Sequence, residues 1–233
     1  MAISFVGAGS VGSGTNPTLT VPAGVQAGDL LLIISTGSTN HTTPTGWFSI
    51  LSSAASGNIT ISGKYARSGE ASVLLAFSAS NGRSTMLAYR GGGAFQVMPS
   101  VATGTGTTVT PSVPTTTYAN DYIIGIYTCA ATIGSATWTA NGSTTTRTLN
   151  NPTITTRGLL ISDELQAAIG VSTAREATLS GSLSWGAVQI GLIESRTVYW
   201  RGGAGTWDVS STTNWSDSSG GAGGVVAPSQ WDN

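Results

Sequence analysis

Short runs of β-branched, aliphatic and aromatic residues alternate along this chain with clusters of Gly, Asn, Ser and Pro. Apolar positions almost never recur at the three- and four-residue spacing that gives a helix one buried stripe, so the pattern predicts strands joined by turns. Strands are expected over 3–6, 18–21, 29–35, 47–52, 59–66, 72–78 and 85–89. After a polar, threonine-rich stretch at 103–117, of which 107–110 reads as a strand, more follow over 122–128, 137–140, 144–149, 157–163, 176–179 and 186–193. One helical turn is expected at Asp163-Glu164-Leu165-Gln166-Ala167-Ala168, with Gly170 as its stop.

The longest aliphatic run, Leu30-Leu31-Leu32-Ile33-Ile34, has no alternation and reads as a buried strand. It is far shorter than the roughly 20 apolar residues of a membrane-spanning helix. A parallel series occurs later. In both halves a threonine-rich strand and a proline (Pro22, Pro114) precede an aspartate (Asp29, Asp121) that opens an aliphatic run. A tryptophan follows at a similar distance, Trp47 and Trp138, and Lys64 to Ala71 corresponds to Gly170 to Ala177 ahead of the closing strands. This is the signature of a degenerate internal duplication.

Two such meanders can bury their apolar faces on each other. The expected fold is therefore all-β: an antiparallel, jelly-roll-like two-sheet β-sandwich over residues 1–195, with related halves of about 1–100 and 101–195. From Tyr199 the texture changes to Trp200-Arg201-Gly202-Gly203-Ala204-Gly205-Thr206-Trp207, then Asn214-Trp215 and a glycine-rich segment. Residues 196–233 thus read as an extension that opens a C-terminal β-rich repeat, and the stop at Asn233 before that repeat closes suggests a longer native chain.

Charge narrows the function classes. Charged residues are 8% of the chain, against roughly a quarter in an ordinary soluble domain. Lys64 is the only lysine and the arginines are scattered singly, so no basic stripe exists to neutralise a run of phosphates, and nucleic acid is not an expected partner. A nearly neutral surface rich in Ser and Thr has little self-repulsion and suits hydrogen-bonded contacts between subunits. Cys129 is alone, which excludes an intrachain disulfide, and the N-terminus lacks the basic region of a secretory leader. Synthesis in a cytoplasm without membrane insertion is expected.

Catalytic chemistry is not visible. His41, the only histidine, sits in Thr39-Asn40-His41-Thr42-Thr43-Pro44 and is expected to be a surface-loop residue, with no Cys or carboxylate at metal-ligand spacing. No metal or other cofactor is expected. Gly7-Ala8-Gly9-Ser10-Val11-Gly12-Ser13-Gly14 lacks a lysine and a following helix, so it is neither a phosphate loop nor a dinucleotide fingerprint. Asp163 and Glu164 are adjacent and would point apart on a strand, unlike the facing carboxylates of a glycosidase. Asp29 and Asp121 are expected to act structurally, accepting hydrogen bonds from the turns before their strands. Trp200, Trp207 and Trp215 are the candidate contacts for assembly or for a glycan, because tryptophan on a glycine-rich β-scaffold can anchor an interface or stack on a sugar ring.

Residues 1–195 resemble a β-rich module of phage tail, fibre and other virion proteins. The resemblance is carried by Pro22-Ala23-Gly24-Val25-Gln26-Ala27-Gly28-Asp29, Thr43-Pro44-Thr45-Gly46-Trp47, Ala66-Arg67-Ser68-Gly69-Glu70 and Ala88-Tyr89-Arg90-Gly91. Trp200, Gly202, Gly203, Gly205, Trp207, Asn214 and Trp215 are similar to a W-x-G-G-x-G-x-W…N-W repeat of fibre-like and adhesin-like proteins. The resemblance implies a non-enzymatic virion subunit of the tail fibre or baseplate. Such a subunit is made in the host cytoplasm and assembles with other virion proteins and with itself, as a trimer if it follows the usual symmetry of fibres. A capsid head decoration protein is the nearest alternative. A bacterial adhesin or carbohydrate-binding module, with a surface glycan as partner, is the alternative from another class.

Overall fold

The computed structural model describes residues 2–53, 58–131, 136–140, 144–195, 199–200 and 215–216, and no helix occurs among them. The first half forms β1 (Ser4–Ala8), β2 (Gly12–Ser13), β3 (Thr18–Leu19), β4 (Leu30–Gly37), β5 (Phe48–Ser52), β6 (Asn58–Tyr65), β7 (Val73–Leu74) and β8 (Arg83–Arg90). The second forms β9 (Gly92–Phe95), β10 (Ala102–Val109), β11 (Thr115–Thr116), β12 (Asp121–Cys129), β13 (Trp138–Ala140), β14 (Thr145–Asn150), β15 (Gly158–Gln166), β16 (Gly170–Val171) and β17 (Ala177–Glu194). Beyond them β18 (Tyr199–Trp200) pairs with β19 (Trp215–Ser216).

Each half builds its own antiparallel sheet, and the two sheets share one strand order. The first runs β1-β8-β4-β6-β5 and the second β10-β17-β12-β15-β14. Small ladders recur as well, β3 with β7 and β11 with β16. The correspondence reaches single residues. β5 is irregular between Ser49 and Leu51, opposite Ser62 and Ile61, and β14 is irregular between Thr146 and Thr148, opposite Ser162 and Ile161. A bulge at the same register in both halves places Ile50 and Arg147 at equivalent positions.

The sheets are not meanders. In each, the closing strand inserts between the first strand and the long aliphatic one, so β4 lies between β8 and β6 rather than beside β5. The aliphatic strands thereby become central, which suits their composition. Leu30, Leu32 and Ile34 face Ile124, Ile126, Leu159, Ile161, Val188 and Ile190 in one core between the sheets. Leu31 and Ile33 point the other way and are covered by Leu19, Leu75 and Phe77 from their own half, with Trp47 packed alongside. On the second sheet Tyr127, Cys129 and Leu160 are covered in the same way by Val109, Trp138 and Leu179. Burial on both faces is why the strands read as unbroken apolar runs instead of alternating ones.

Three other expectations give way. The turn expected to be helical, Asp163 to Ala168, is mostly the end of β15, with Asp163 to Gln166 paired to β12. These residues favour a helix by propensity, but ladder pairing on a central strand overrides a bias of tenths of a kcal/mol per residue. The polar segment before Thr107 belongs to β10, and the Ser/Gly-rich residues between Leu179 and Gly186 continue β17 as one strand of 18 residues. The first has no large apolar residue before Val109 and owes its strand character to pairing with β17, whereas in the second Leu179, Leu183 and Trp185 alternate with serines and pack on the outer cluster of the second sheet. The segment 72–78 contains a two-residue strand, Val73–Leu74.

Candidate functional site

Three of the four segments that carried the phage resemblance meet at one corner of the first sheet. The β3–β4 connection reverses through Gly24 (φ +83°) and Gly28 (φ +90°), and the β6–β7 connection through Gly69 (φ +71°), left-handed positions that glycine occupies without strain. Two backbone bonds tie the connections together, Gly28 N to Ala66 O at 2.9 Å and Ala66 N to Asp29 O at 2.8 Å. Asp29 is the buried knot of the corner. Its carboxylate accepts the Gln26 N–H at 2.8 Å and a bidentate pair from Arg90, Nε at 2.9 Å and Nη2 at 2.8 Å. Arg90 Nη2 also donates to Gly24 O at 3.1 Å, which fixes the tip of the loop. Burial disfavours the charged form of Asp29, but the Arg90 and Gln26 bonds outweigh it and hold the carboxyl below its usual range.

The two connections enclose an open groove of about 500 Å3. Val21, Pro22 and Val25 give it short aliphatic surface, while Gln26, Arg67, Ser68 and Glu70 supply polar groups. At its edge Lys64 Nζ pairs with Glu70 Oε1 at 2.5 Å, and Glu70 Oε2 accepts the Arg67 N–H at 3.0 Å. Trp47 lies beside this pair, its ring centroid 5.9 Å from Lys64 Nζ.

The second half does not rebuild this corner. Its equivalent connection runs only from 117 to 120, against 20 to 29 in the first half. Leu30 pairs with Tyr89 and Tyr122 with Leu192, so the residue that corresponds to Arg90 is Ile193. Asp121 is buried and accepts a hydrogen bond from Gln96 Nε2 at 2.6 Å, and Gln96 in turn accepts one from Thr117 Oγ1 at 3.1 Å. Asp29 and Asp121 thus stand at the same place in two sheets, the first held by the Arg90 guanidinium and the second by the Gln96 amide.

His41 is a correction to the sequence reading: it is buried, not at the surface. Its loop folds back over the outer face of the first sheet, where Nδ1 meets Ser35 Oγ at 2.5 Å and Nε2 meets Ser62 Oγ at 2.7 Å. Burial lowers its pKa to about 4, so the ring is neutral at pH 7. Hydroxyls bracket the imidazole on both sides, no carboxylate among the described residues orients it, and Ser35 and Ser62 are as buried as the histidine. At the matching place in the second sheet Tyr127 stands for Ser35 and Ser162 for Ser62, by the register of the strands. The Tyr127 ring packs there beside Trp138, and its hydroxyl donates to the Arg175 carbonyl.

Asp163 and Glu164 point to opposite faces. Asp163 enters the core between the sheets, where it accepts hydrogen bonds from Arg147 Nε at 2.7 Å and Tyr89 Oη at 2.9 Å. Arg147 also reaches Tyr122 Oη at 3.3 Å and stacks 4.1 Å from the Phe5 ring centroid. Burial pushes the Asp163 carboxyl above the usual range, against the downward pull of Arg147 and Tyr89. Glu164 pairs on the outer face with Arg175 Nε at 2.7 Å. In the first half the position of Asp163 is Gly63, beneath Phe48, and that of Arg147 is Ile50. One apolar pairing and one ionic pairing therefore occupy equivalent sites.

Of the candidate tryptophans, Trp200 and Trp215 are backbone partners in the ladder of β18 and β19. Their side chains, and Trp207 entirely, lie outside the described residues. Among the described residues no three His, Cys, Asp or Glu side chains gather as a metal site would require. The sequence reading missed the groove. Its only signal was the glycines Gly24, Gly28 and Gly69 near charged residues, and nothing in the linear order shows that these segments converge.

Fold and corner together define an all-β protein of two facing antiparallel sheets with a solvent-open groove at one end of the first. No protein-family model matches the chain, and no curated protein and no solved structure matches it.

Proposed function

We propose that this chain is a structural subunit of a phage virion, in the tail fibre or baseplate, that acts by strand-edge docking on neighbouring subunits. The supporting observation is β10. It is an edge strand of eight residues, Ala-Thr-Gly-Thr-Gly-Thr-Thr-Val, paired among the described residues only with β17. Edge strands of monomers are commonly blunted by lysine, proline or inward-pointing charge. β10 has none of these, and its threonines Thr103, Thr105 and Thr107 are exposed. An extended segment of a second subunit can add to it through backbone hydrogen bonds without desolvating a charge. Pairing of this edge with a different edge of the next copy would be head-to-tail and closes a ring, for which three copies are expected.

Light scattering on the eluting protein tests this reading. The wild type is expected at the mass of three chains, and the double variant Thr103→Lys with Thr105→Lys at the mass of one, with an unchanged melting temperature. A wild type that remains monomeric at every concentration would overturn it.

A further inference from the structure

We infer that the groove between the β3–β4 and β6–β7 connections binds an acidic saccharide, with the sugar carboxylate on Arg67 and its hydroxyls on Gln26 and Ser68. The charge balance of the corner points to an anion. Lys64, Arg67 and Arg90 are three cations facing two anions, Asp29 and Glu70, in a chain whose formal net charge is −1. Arg90 is consumed by Asp29 and Lys64 by Glu70. Arg67 meets Glu70 by a hydrogen bond from its backbone N–H, and its side chain stands exposed on the groove wall. Glu70, on the same wall, is shared between Lys64 and Arg67, so the corner keeps one positive charge in excess, and Arg67 is the guanidinium that lines the groove; a planar guanidinium matches a carboxylate in bidentate geometry.

The remaining lining selects the class of anion. A single cation with no helix terminus beside it is poorly equipped for a phosphate dianion. Gln26 offers an amide and Ser68 a hydroxyl from opposite lips, groups that serve a ligand bearing several hydroxyls. Val21, Pro22 and Val25 present low aliphatic surface that suits the C–H face of a sugar ring and provides no deep pocket for a peptide side chain. A volume of about 500 Å3 accommodates the end of an oligosaccharide. The walls are preorganised, because Asp29, Arg90 and Ala66 lash both connections to the sheet, so little loop ordering opposes binding. This site is independent of strand-edge docking.

Titration calorimetry on the full chain tests the inference. The probes are digalacturonate and 3′-sialyllactose, with lactose as neutral control and inorganic phosphate and acetyl-alanyl-valine as other anions. At least one acidic sugar is expected to bind about tenfold or more tightly than lactose, phosphate or the dipeptide, and Arg67→Gln to remove that preference while the melting temperature stays unchanged. Gln26→Ala is expected to weaken binding severalfold, and the Thr103→Lys, Thr105→Lys variant to bind as the wild type does. Equal binding of phosphate or the dipeptide, no preference over lactose, or unchanged affinity in Arg67→Gln would each overturn it.

Discussion

Thr36 and Thr128 hydrogen-bond to each other through their hydroxyls across the space between the sheets. Each is seven positions beyond the aspartate that opens its strand, Asp29 and Asp121. Equivalent residues of two repeats can touch only near the axis that relates them, so this contact marks the pseudo-two-fold of the sandwich. Both threonines are buried.

Removing one of these hydroxyls strands the other. Thr36→Val is expected to cost about 1–3 kcal/mol, the penalty of an unsatisfied buried polar group. The double variant Thr36→Val, Thr128→Val should lose less than the sum of the two singles. Urea unfolding of the four proteins gives the coupling directly, and additive losses would show that the contact carries no energy.

Acid sensitivity should come in two windows. The folded pKa of His41 is lowered to about 4 from an ordinary 6.5. The unfolded chain therefore binds more protons between those values, and stability falls as pH drops from 6.5 to 4, by about 3 kcal/mol in total at 1.36 kcal/mol per unit. Asp29, whose folded pKa is lowered, contributes stability that is lost further down, as pH falls below the ordinary carboxyl value of 3.8. Urea unfolding at stepped pH is expected to show the first slope in the wild type and its absence in His41→Asn, whatever the absolute stability of that variant.

Asp163 should be costly to remove by itself. Asp163→Ala leaves the Arg147 guanidinium and the Tyr89 hydroxyl facing each other without their acceptor, a loss of about 3–5 kcal/mol by analogy with other broken buried pairs. Copying the other half, with Arg147→Ile and Asp163→Gly after Ile50 and Gly63, should recover part of that loss. Thermal melts of the single and double variants check the order, and a double variant less stable than Asp163→Ala would refute it.

Gly125 has a specific reason to lack a side chain. A Cβ there would stand 2.6 Å from the Tyr127 hydroxyl oxygen and 2.8 Å from its ring. In the first half the matching residue is Ile33, which is tolerated because Ser35 takes the place of the tyrosine. Gly125→Ala is therefore expected to destabilise by about 1–3 kcal/mol through overpacking. The same change combined with Tyr127→Ser should cost less than the two changes summed, as measured by urea unfolding.

Much of the architecture was legible before any coordinates. Strand periodicity marked most of the ladders, and the unbroken run Leu30 to Ile34 announced a strand buried on both faces, because no half-exposed strand can be apolar at every position. The repeat of aspartate, aliphatic strand and tryptophan follows from side chains that serve the same packing role in two sheets. What the linear order could not carry was anything decided by contacts between distant segments. Insertion of the closing strands beside β4 and β12, the continuation of β17 through Ser180 to Trp185, and the strand character of Ala102 to Gly106 all depend on pairing partners remote in sequence. So does the burial of His41, since a histidine in a polar loop becomes interior only when Ser35 and Ser62 stand where both ring nitrogens can be satisfied. The groove is of the same kind. Local chemistry bent the chain at Gly24 and Gly69, but only the fold brought Arg67 opposite Gln26, because a binding surface is made by convergence and convergence has no period to read.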